Sequence, residues 1–397
     1  MFKPGVVVVH NRYRQAGGED AVVRVEVELL QRNGHRVIQY ARDNAEIDLF
    51  GAWRKASLLA TTTWNQQAYR ELRSVLRAER PDVVHCHNLV PLISPAVYYA
   101  CRAEAVPVVQ SLHNFRLCCP AGTFFHNGVV CGGCDSELGE AVLRRCYRNS
   151  TVQTAAVAAM LGMHRTMETW AQTVDAYSAP SQFCLERMAN GGVPRAKITV
   201  RPNFLARDPG ARTSGDGYGL FVGRICEEKG IRQLLRAWRR LHAIPLVIVG
   251  DGPLRGEAEG SAPANVSFTG ALSPEQTLAR IKSARFLVFP SVGYETFGMV
   301  ALEAAACGLA TLGSRLGAIP ELIDDGHTGL LFDPHNTEEF AETVAWAWSH
   351  PVLMSEMGAA ARRRYLRQYT AEQGYESLMR LYASVLKRDR DDHPCAA

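Results

Sequence analysis

The chain has 397 residues, 47% hydrophobic and 21% charged, an ordinary globular composition but more chain than one core serves, so two domains are expected. A formal net charge of +4 is too slight to argue for a nucleic-acid partner, and no apolar run approaches the roughly 20 residues of a membrane span. Met1-Phe2-Lys3-Pro4 leads straight into a strand pattern without a secretory signal, so a cytoplasmic protein is expected, with peripheral membrane contact left open. Eleven cysteines in that compartment read as thiols, and a cluster of them as metal before disulfide.

In chain order, Gly5–His10 is a continuous apolar run, as in a central parallel strand covered on both faces. A loop with Gly17-Gly18-Glu19-Asp20 follows, then a helical pattern from Ala21 to Arg32. This is the first strand–loop–helix of a doubly wound sheet, where ligands bind beyond the carboxyl ends of strands. The two glycines would let the loop approach a phosphate or an acceptor, although the G-x-G-x-x-G dinucleotide spacing is missing. Glu19 and Asp20 either complement the helix N-terminus or meet the acceptor. A second strand is expected at Arg36–Tyr40, a helix at Trp64–Arg80, a strand over Pro81–His87, a helix over Ser94–Ala103 and a strand over Pro107–His113. Histidines 10, 87 and 113 all fall at carboxyl ends of strands, and three on one edge favour a site, with His113 first.

Cys119, Cys131, Cys134 and Cys146 fall as C, eleven residues, C-x-x-C, eleven residues, C. The turn-rich loop between them has little apolar material to hold it, and a tetrahedral structural zinc would staple it, with Cys118 able to stand in for Cys119 and four free thiols as the competing reading. Four thiolates leave no open position, so the metal would not be catalytic. A helix over Thr151–Trp170, strands over Asp175–Ser181 and Ile198–Asn203, and a linker over 205–218 close this half.

A second alternation starts at Gly219–Ile225, with Lys229-Gly230 leading into a helix over Ile231–Leu241. Arg224 and Lys229 flank the end of that strand, after Gly223. Strands follow at 245–249, ending in Gly250-Asp251-Gly252-Pro253, and at Val266–Gly270, where backbone groups around Thr269 could face a nucleobase. Next come Arg285–Pro290, a turn containing Gly293 and Gly298, and a helix over Met299–Cys307. The free N–H groups and dipole of that helix make the turn a seat for an anion such as a diphosphate. Glu295 and Glu303 bracket the seat, Glu303 from the second turn, within reach of sugar hydroxyls. Strands at Leu309–Gly313 and Gly329–Phe332, a helix over Thr337–Ser349, and a last helix from about Tyr369 to Lys387 with a polar tail complete the chain.

Taken together, Gly17-Gly18, His113, Val222-Gly223-Arg224 with Lys229-Gly230, Val249–Pro253 and Glu295–Glu303 resemble the retaining, nucleotide-sugar-dependent glycosyltransferases of family 4, which have the GT-B fold. The N-terminal half also resembles a bacterial subgroup with Gly-Gly-Glu-Asp after strand one, Leu-His-Asn-Phe-Arg-Leu and a cysteine-rich insertion. The resemblance implies two doubly wound Rossmann-like domains of the α/β class with a cleft between them: an acceptor domain over 1–204 with an insertion at 117–147, a nucleotide-sugar domain over 205–370, and a C-terminal helix and tail over 371–397 returning to the first domain. It implies that Arg224, Lys229 and backbone amides around Phe297-Gly298 bind the donor diphosphate. Glu303 would hold the ribose, Glu295 the donor sugar, and His113 would stand beside the transferring sugar. Gly17, Gly18, Gly223, Gly250, Thr269 and Thr296 would line the donor site, and Glu19, Asp20 and His87 the acceptor side. The implied reaction moves a hexose or N-acetylhexosamine from a nucleotide sugar, UDP on family frequency, to a hydroxyl of a glycan, lipid-linked or small-molecule acceptor such as an aminocyclitol, without a catalytic metal. A nucleotide-sugar epimerase and a non-catalytic sugar-nucleotide binder are the competing readings. No feature of the sequence indicates an oligomeric state.

Overall fold

The structure is a computed structural model that describes residues 3–14, 17–132, 138–212 and 217–392, with side chains described as far as 387. The chain divides into two compact units. One comprises Met1–Thr123, Gly132–Pro202 and Gly374–Ala397; the other comprises Phe124–Cys131 and Asn203–Gln373.

The strands, in chain order, are β1 (Val6–Arg12), β2 (Val37–Asp43), β3 (Val83–Cys86), β4 (Val108–Ser111), β5 (Phe125–His126), β6 (Val129–Val130), β7 (Ala176–Ala179) and β8 (Ile198–Val200), then β9 (Gly219–Val222), β10 (Leu246–Val249), β11 (Val266–Gly270), β12 (Phe286–Phe289), β13 (Thr311–Ser314) and β14 (Gly329–Phe332). The first unit is built on a six-stranded sheet in the order β2-β1-β3-β4-β7-β8, the second on a six-stranded sheet in the order β11-β10-β9-β12-β13-β14. Every pairing in both is parallel. Helices cover both faces of such sheets, which is why β1, β3, β4, β10 and β12 are almost wholly buried and rich in Val, Ile, Leu and Phe.

In each sheet the chain order reverses beside the first strand, between β1 and β3 in one and between β9 and β12 in the other. Connections on the two sides of such a reversal leave toward opposite faces, and a crevice opens beyond the carboxyl ends of the two central strands. Gly17–Asp20 follows β1 and His87 follows β3; Arg224 and Lys229 follow β9, and Glu295–Glu303 follows β12. The topology therefore gathers the two candidate sets at the reversal points.

The last helix, Ala371–Asp392, belongs almost entirely to the first unit. Leu378, Leu381, Tyr382 and Val385 are buried in one cluster with Val6, Val8, Val23, Val27, Leu30 and Val83. This helix is longer than expected, and residues 393–397 of the tail lie outside the described residues, as do residues 213–216 of the linker.

The helical pattern over Thr151–Trp170 is two helices, Thr151–Thr166 and Thr169–Gln172, because Glu168 turns left-handed at φ 50°. Several helices are not foreshadowed by apolar periodicity, among them Ala52–Thr61, Arg255–Ser261, Pro274–Ser283 and Pro351–Gln368. Two of them carry end signals instead. Pro274 occupies the first turn after a Ser273/Gln276 capping box, and Pro351 opens its helix.

Candidate active site

In the second unit the donor candidates converge on one loop pair. The segment after β9 passes through a short 3-10 turn, Glu227–Lys229, and Glu228 accepts through its backbone oxygen from the N–H groups of Val292 and Gly293 at 3.0 Å each. That contact ties the loop carrying Arg224 and Lys229 to the loop carrying Glu295. Lys229 Nζ lies 2.6 Å from Glu295 Oε1, and Ser291 Oγ donates to the same oxygen at 2.6 Å. Arg224 pairs with Glu228 and donates from Nε to Cys226 Sγ at 3.3 Å. Each cation thus has a carboxylate beside it, and a phosphate arriving here would compete with Glu295 and Glu228.

The helix Met299–Cys307 starts at Gly298 with φ 121° and no side-chain cap, so its first N–H groups are left for another acceptor. A Cβ at Gly298 would stand 2.9 Å from the Phe289 ring; close helix–strand packing therefore requires this glycine whatever binds. Gly250 is similar. At φ 138° its Cβ would lie 1.9 Å from the Gly223 carbonyl oxygen, just beyond the paired ends of β9 and β10. Thr269 donates its hydroxyl to the backbone oxygen of Gly270 at 3.0 Å. Phe297 is buried, and Thr296 lies half-buried in the loop.

Glu303 sits on the second turn of the helix, half-buried. Burial pushes its carboxyl up to about 7, and no hydrogen bond to it is found among the described residues. A carboxylate that has lost water and gained no donor is a ready acceptor for paired hydroxyls.

In the first unit a cavity beyond the strand ends is lined by Glu19, His87, His113, Asn114 and Arg116, among others. Glu19 accepts from Tyr13 Oη at 3.0 Å and Asn114 Nδ2 at 3.2 Å, and burial nevertheless pushes its carboxyl up to about 7. Asp20 is occupied differently: it accepts from Gly17 N at 3.0 Å and lies 2.9 Å from His10 Nε2, closing the helix start. Of the two neighbouring carboxylates, only Glu19 reaches the cavity. Gly17 and Gly18 are exposed, with open space where a Cβ would stand.

His113 is half-buried and its ring is pushed down to about 3 by burial, so it is neutral at physiological pH. Its Nε2 lies 2.8 Å from His87 Nδ1. His87 is itself 3% exposed and held neutral by burial. Behind His87 lies Glu26, from the first helix, with Oε2 3.6 Å from His87 Nε2 and Oε1 paired with Arg201. Burial is the largest single influence on the Glu26 carboxyl and raises it, but the Arg201 charge and hydrogen bond together with the neighbouring His85 and His113 hold the group below its ordinary range. Glu26 and Arg201 are absent from the sequence-derived set. The available signal was one glutamate on the stripe Val22, Val23, Val27, Leu30, which spacing alone marks as core-facing.

Glu26, His85 and His87 also place three ligand atoms close enough for a metal. The donor set argues against one: Arg201 already neutralises Glu26, and both His85 nitrogens are engaged at 2.8 Å, by Tyr382 Oη and Ser111 Oγ. Of the four spaced thiols, Cys119 is buried, Cys131 and Cys146 are half-buried, and Cys134 lies outside the described residues. Among the described residues no helix is long and apolar enough to cross a membrane.

Comparison with known proteins fits this geometry. Residues 16–208 match the family model described as Glycosyltransferase Family 4, and residues 217–350 the one described as Glycosyl transferases group 1. The D-rhamnosyltransferase WbpZ of Pseudomonas aeruginosa is 36% identical over 163 residues, 40% of this chain and 42% of that protein, so the match spans less than half of that relative's length. Glycogen synthase of Mycobacterium tuberculosis is 28% identical over 375 residues, 91% of this chain and 83% of the other. Anabaena HepE, solved in complex with UDP-glucose, superposes with a TM-score of 0.68 at 15% identity, covering 96% of this chain and 100% of that one, a likeness of fold. Each sheet is one half of a GT-B architecture, and the two glycosyltransferase family models between them take in most of the sequence: the chain has a GT-B fold, and each of its halves matches a glycosyltransferase family model.

Proposed function

We propose that this chain is a retaining glycosyltransferase that moves a hexose or N-acetylhexosamine from a nucleotide sugar, UDP-linked, to a hydroxyl of a glycan, lipid-linked or small-molecule acceptor. The observation that carries the reading is the strand-end site of the second unit: an uncapped helix start at Gly298, two cations at Arg224 and Lys229, and a desolvated, unpartnered Glu303 on one helix. Transfer breaks the anomeric C–O bond, so negative charge grows on the departing diphosphate and positive charge on the sugar ring. Arg224, Lys229 and the helix N–H groups oppose the first from fixed positions. Glu303 accepts from the ribose hydroxyls. Glu295, held by Lys229 and Ser291, takes the donor sugar. His113 orients the transferring sugar, and Glu19 and Asn114 meet the incoming hydroxyl. Among the described residues we place no carboxylate as a nucleophile, and in this reading retention proceeds by front-face attack with the positive charge supplied by Arg224 and Lys229. That relatives named for rhamnosyl transfer and glycogen synthesis share the sequence supports the reaction class.

Thermal-shift screening of UDP-, GDP- and ADP-sugars tests this. Selective stabilisation by UDP-sugars, lost in Arg224→Ala, is the expected result; a flat response from folded protein would overturn it. Nucleotide released only when an acceptor is present separates transfer from epimerisation.

Two further parts of the reading have their own tests. The spacing of Cys119, Cys131, Cys134 and Cys146 supports a structural zinc, which would appear as one zinc per chain with four thiols protected until chelation; purified protein without zinc sinks it. The helix Ala52–Thr61 supports contact with an anionic membrane surface. It has no buried residue, and Trp53 and the preceding Leu49 are 91% and 88% exposed. It carries Arg54 and Lys55 with no acidic residue, the composition of an interfacial helix. Co-sedimentation with phosphatidylglycerol vesicles is expected for the wild type and lost in Trp53→Ala with Lys55→Ala. Equal recovery of both proteins in the supernatant would dismiss the contact.

A further inference from the structure

Two neutral imidazoles whose nitrogens stand 2.8 Å apart must share one proton, since two bare lone pairs at that distance repel. His87 Nδ1 and His113 Nε2 are such a pair. Two arrangements satisfy them. In one, His113 donates Nε2–H to His87 Nδ1, and His87 carries its own proton on Nε2. In the other, His87 donates from Nδ1 and leaves Nε2 bare. What lies behind His87 decides between them. Its Nε2 is buried, has no hydrogen-bond partner, and faces Glu26 Oε2 at 3.6 Å, an oxygen that is also unpartnered. That distance is too long for a hydrogen bond, but Arg201 is paired with the far oxygen Oε1, and in so buried a site the near oxygen Oε2 still favours an N–H over a lone pair on the nitrogen facing it. Arg201 holds Glu26 ionised, so Glu26 cannot supply the proton itself. Arg201 itself is held on Glu26 Oε1 and on Ser178 Oγ. His10 is engaged with Asp20, and His85 with Tyr382 and Ser111.

We propose that Glu26 and His87 are positioning residues that set the tautomer of His113, fixing its proton on Nε2 and making Nδ1 a hydrogen-bond acceptor. Whatever meets Nδ1 must then be a donor, and a sugar hydroxyl is one. The consequence for the reaction rests on the reading of His113 as the histidine beside the transferring sugar; the tautomer itself does not.

Long-range 15N–1H spectra of uniformly labelled protein, with His87 and His113 assigned by loss of their signals in His87→Gln and His113→Asn, read both protons directly. The wild type is expected to show Nε2–H on both rings. In Glu26→Gln the amide can donate to His87 Nε2, so both rings are expected to switch to Nδ1–H. With a donor sugar, kcat is expected to fall about tenfold, with KM for the nucleotide sugar within about twofold. A wild-type His113 protonated on Nδ1 overturns the proposal whether or not any nucleotide sugar binds, and so does a folded Glu26→Gln that keeps the wild-type tautomers. Should Glu26→Gln fail to fold, His87→Gln serves, since its amide offers an acceptor toward His113 and a donor toward Glu26. There His113 keeps Nε2–H under the proposal and switches if it is wrong.

Discussion

Replacing Lys229 by Ala is expected to lower kcat by roughly 10²–10³, the usual loss for one preorganised group aimed at developing charge, and Arg224→Ala to do the same. Both side chains follow β9 at the point where strand order reverses, so neither is reoriented when charge moves to the leaving diphosphate. Lys229 has a second role that its substitution exposes. It neutralises Glu295, whose side chain is only 15% exposed, and Lys229→Ala leaves that carboxylate with Ser291 alone. The double variant Lys229→Ala, Glu295→Gln separates the two effects. If the lost rate comes from missing positive charge at the phosphates, the double variant stays slow; if it comes from a displaced Glu295, part of the rate returns. A Lys229→Ala enzyme within threefold of wild type in donor turnover would remove Lys229 from the site.

Glu303 gives the second large effect. Its folded value of about 7 lies above the ordinary carboxyl range, so the native state holds a proton that the unfolded chain has released. The stability this confers is full below the unfolded value and is lost as pH rises through the folded one, so ligand-free protein should become less stable between about pH 4.5 and pH 7. Binding has the opposite sense. In the proposed binding mode ribose hydroxyls donate to the ionised form, and the ionised fraction rises about tenfold from pH 6 to pH 8 for a group near 7. Affinity for a UDP-sugar, whose diphosphate charge is constant there, should rise by that factor in titration calorimetry. Glu303→Gln should flatten the profile, and Glu303→Ala should weaken binding about 10–100-fold through the loss of charged hydrogen bonds. A wild-type affinity independent of pH over this range would place Glu303 outside the ribose contact.

Much of this site is legible in the sequence because its parts are local. A strand, a glycine turn and an alanine-rich helix in direct succession, Phe286 to Cys307, put Glu295, Gly298 and Glu303 on one edge, and the helix Met299–Cys307 has the expected bounds. What sequence order hides is pairing across the fold. Lys229 and Glu295 are 66 positions apart, and Glu26 and Arg201 are 175 apart; each looks like a surface charge until the sheet brings it to its partner. Asp20 and Glu19 illustrate the finer limit. They are adjacent and chemically alike, yet one closes a helix start while the other lines a cavity, because successive helical residues point about 100° apart. Glycines carry a second signal: a side chain at Gly250 is already forbidden by the Gly223 carbonyl beyond the neighbouring strand end, whatever binds there.

The last helix bears on how the molecule is made. The first unit takes its final layer, with Leu378, Leu381, Tyr382 and Val385, from the far end of the chain. Burying each such side chain contributes about 1.5–3 kcal/mol, together comparable to the 5–15 kcal/mol net stability of a whole domain. On the ribosome, therefore, the half that emerges first cannot finish first. It waits, with the part of one sheet face beside the first helix uncovered, while the second unit is synthesised. The order of completion is the reverse of the order of synthesis.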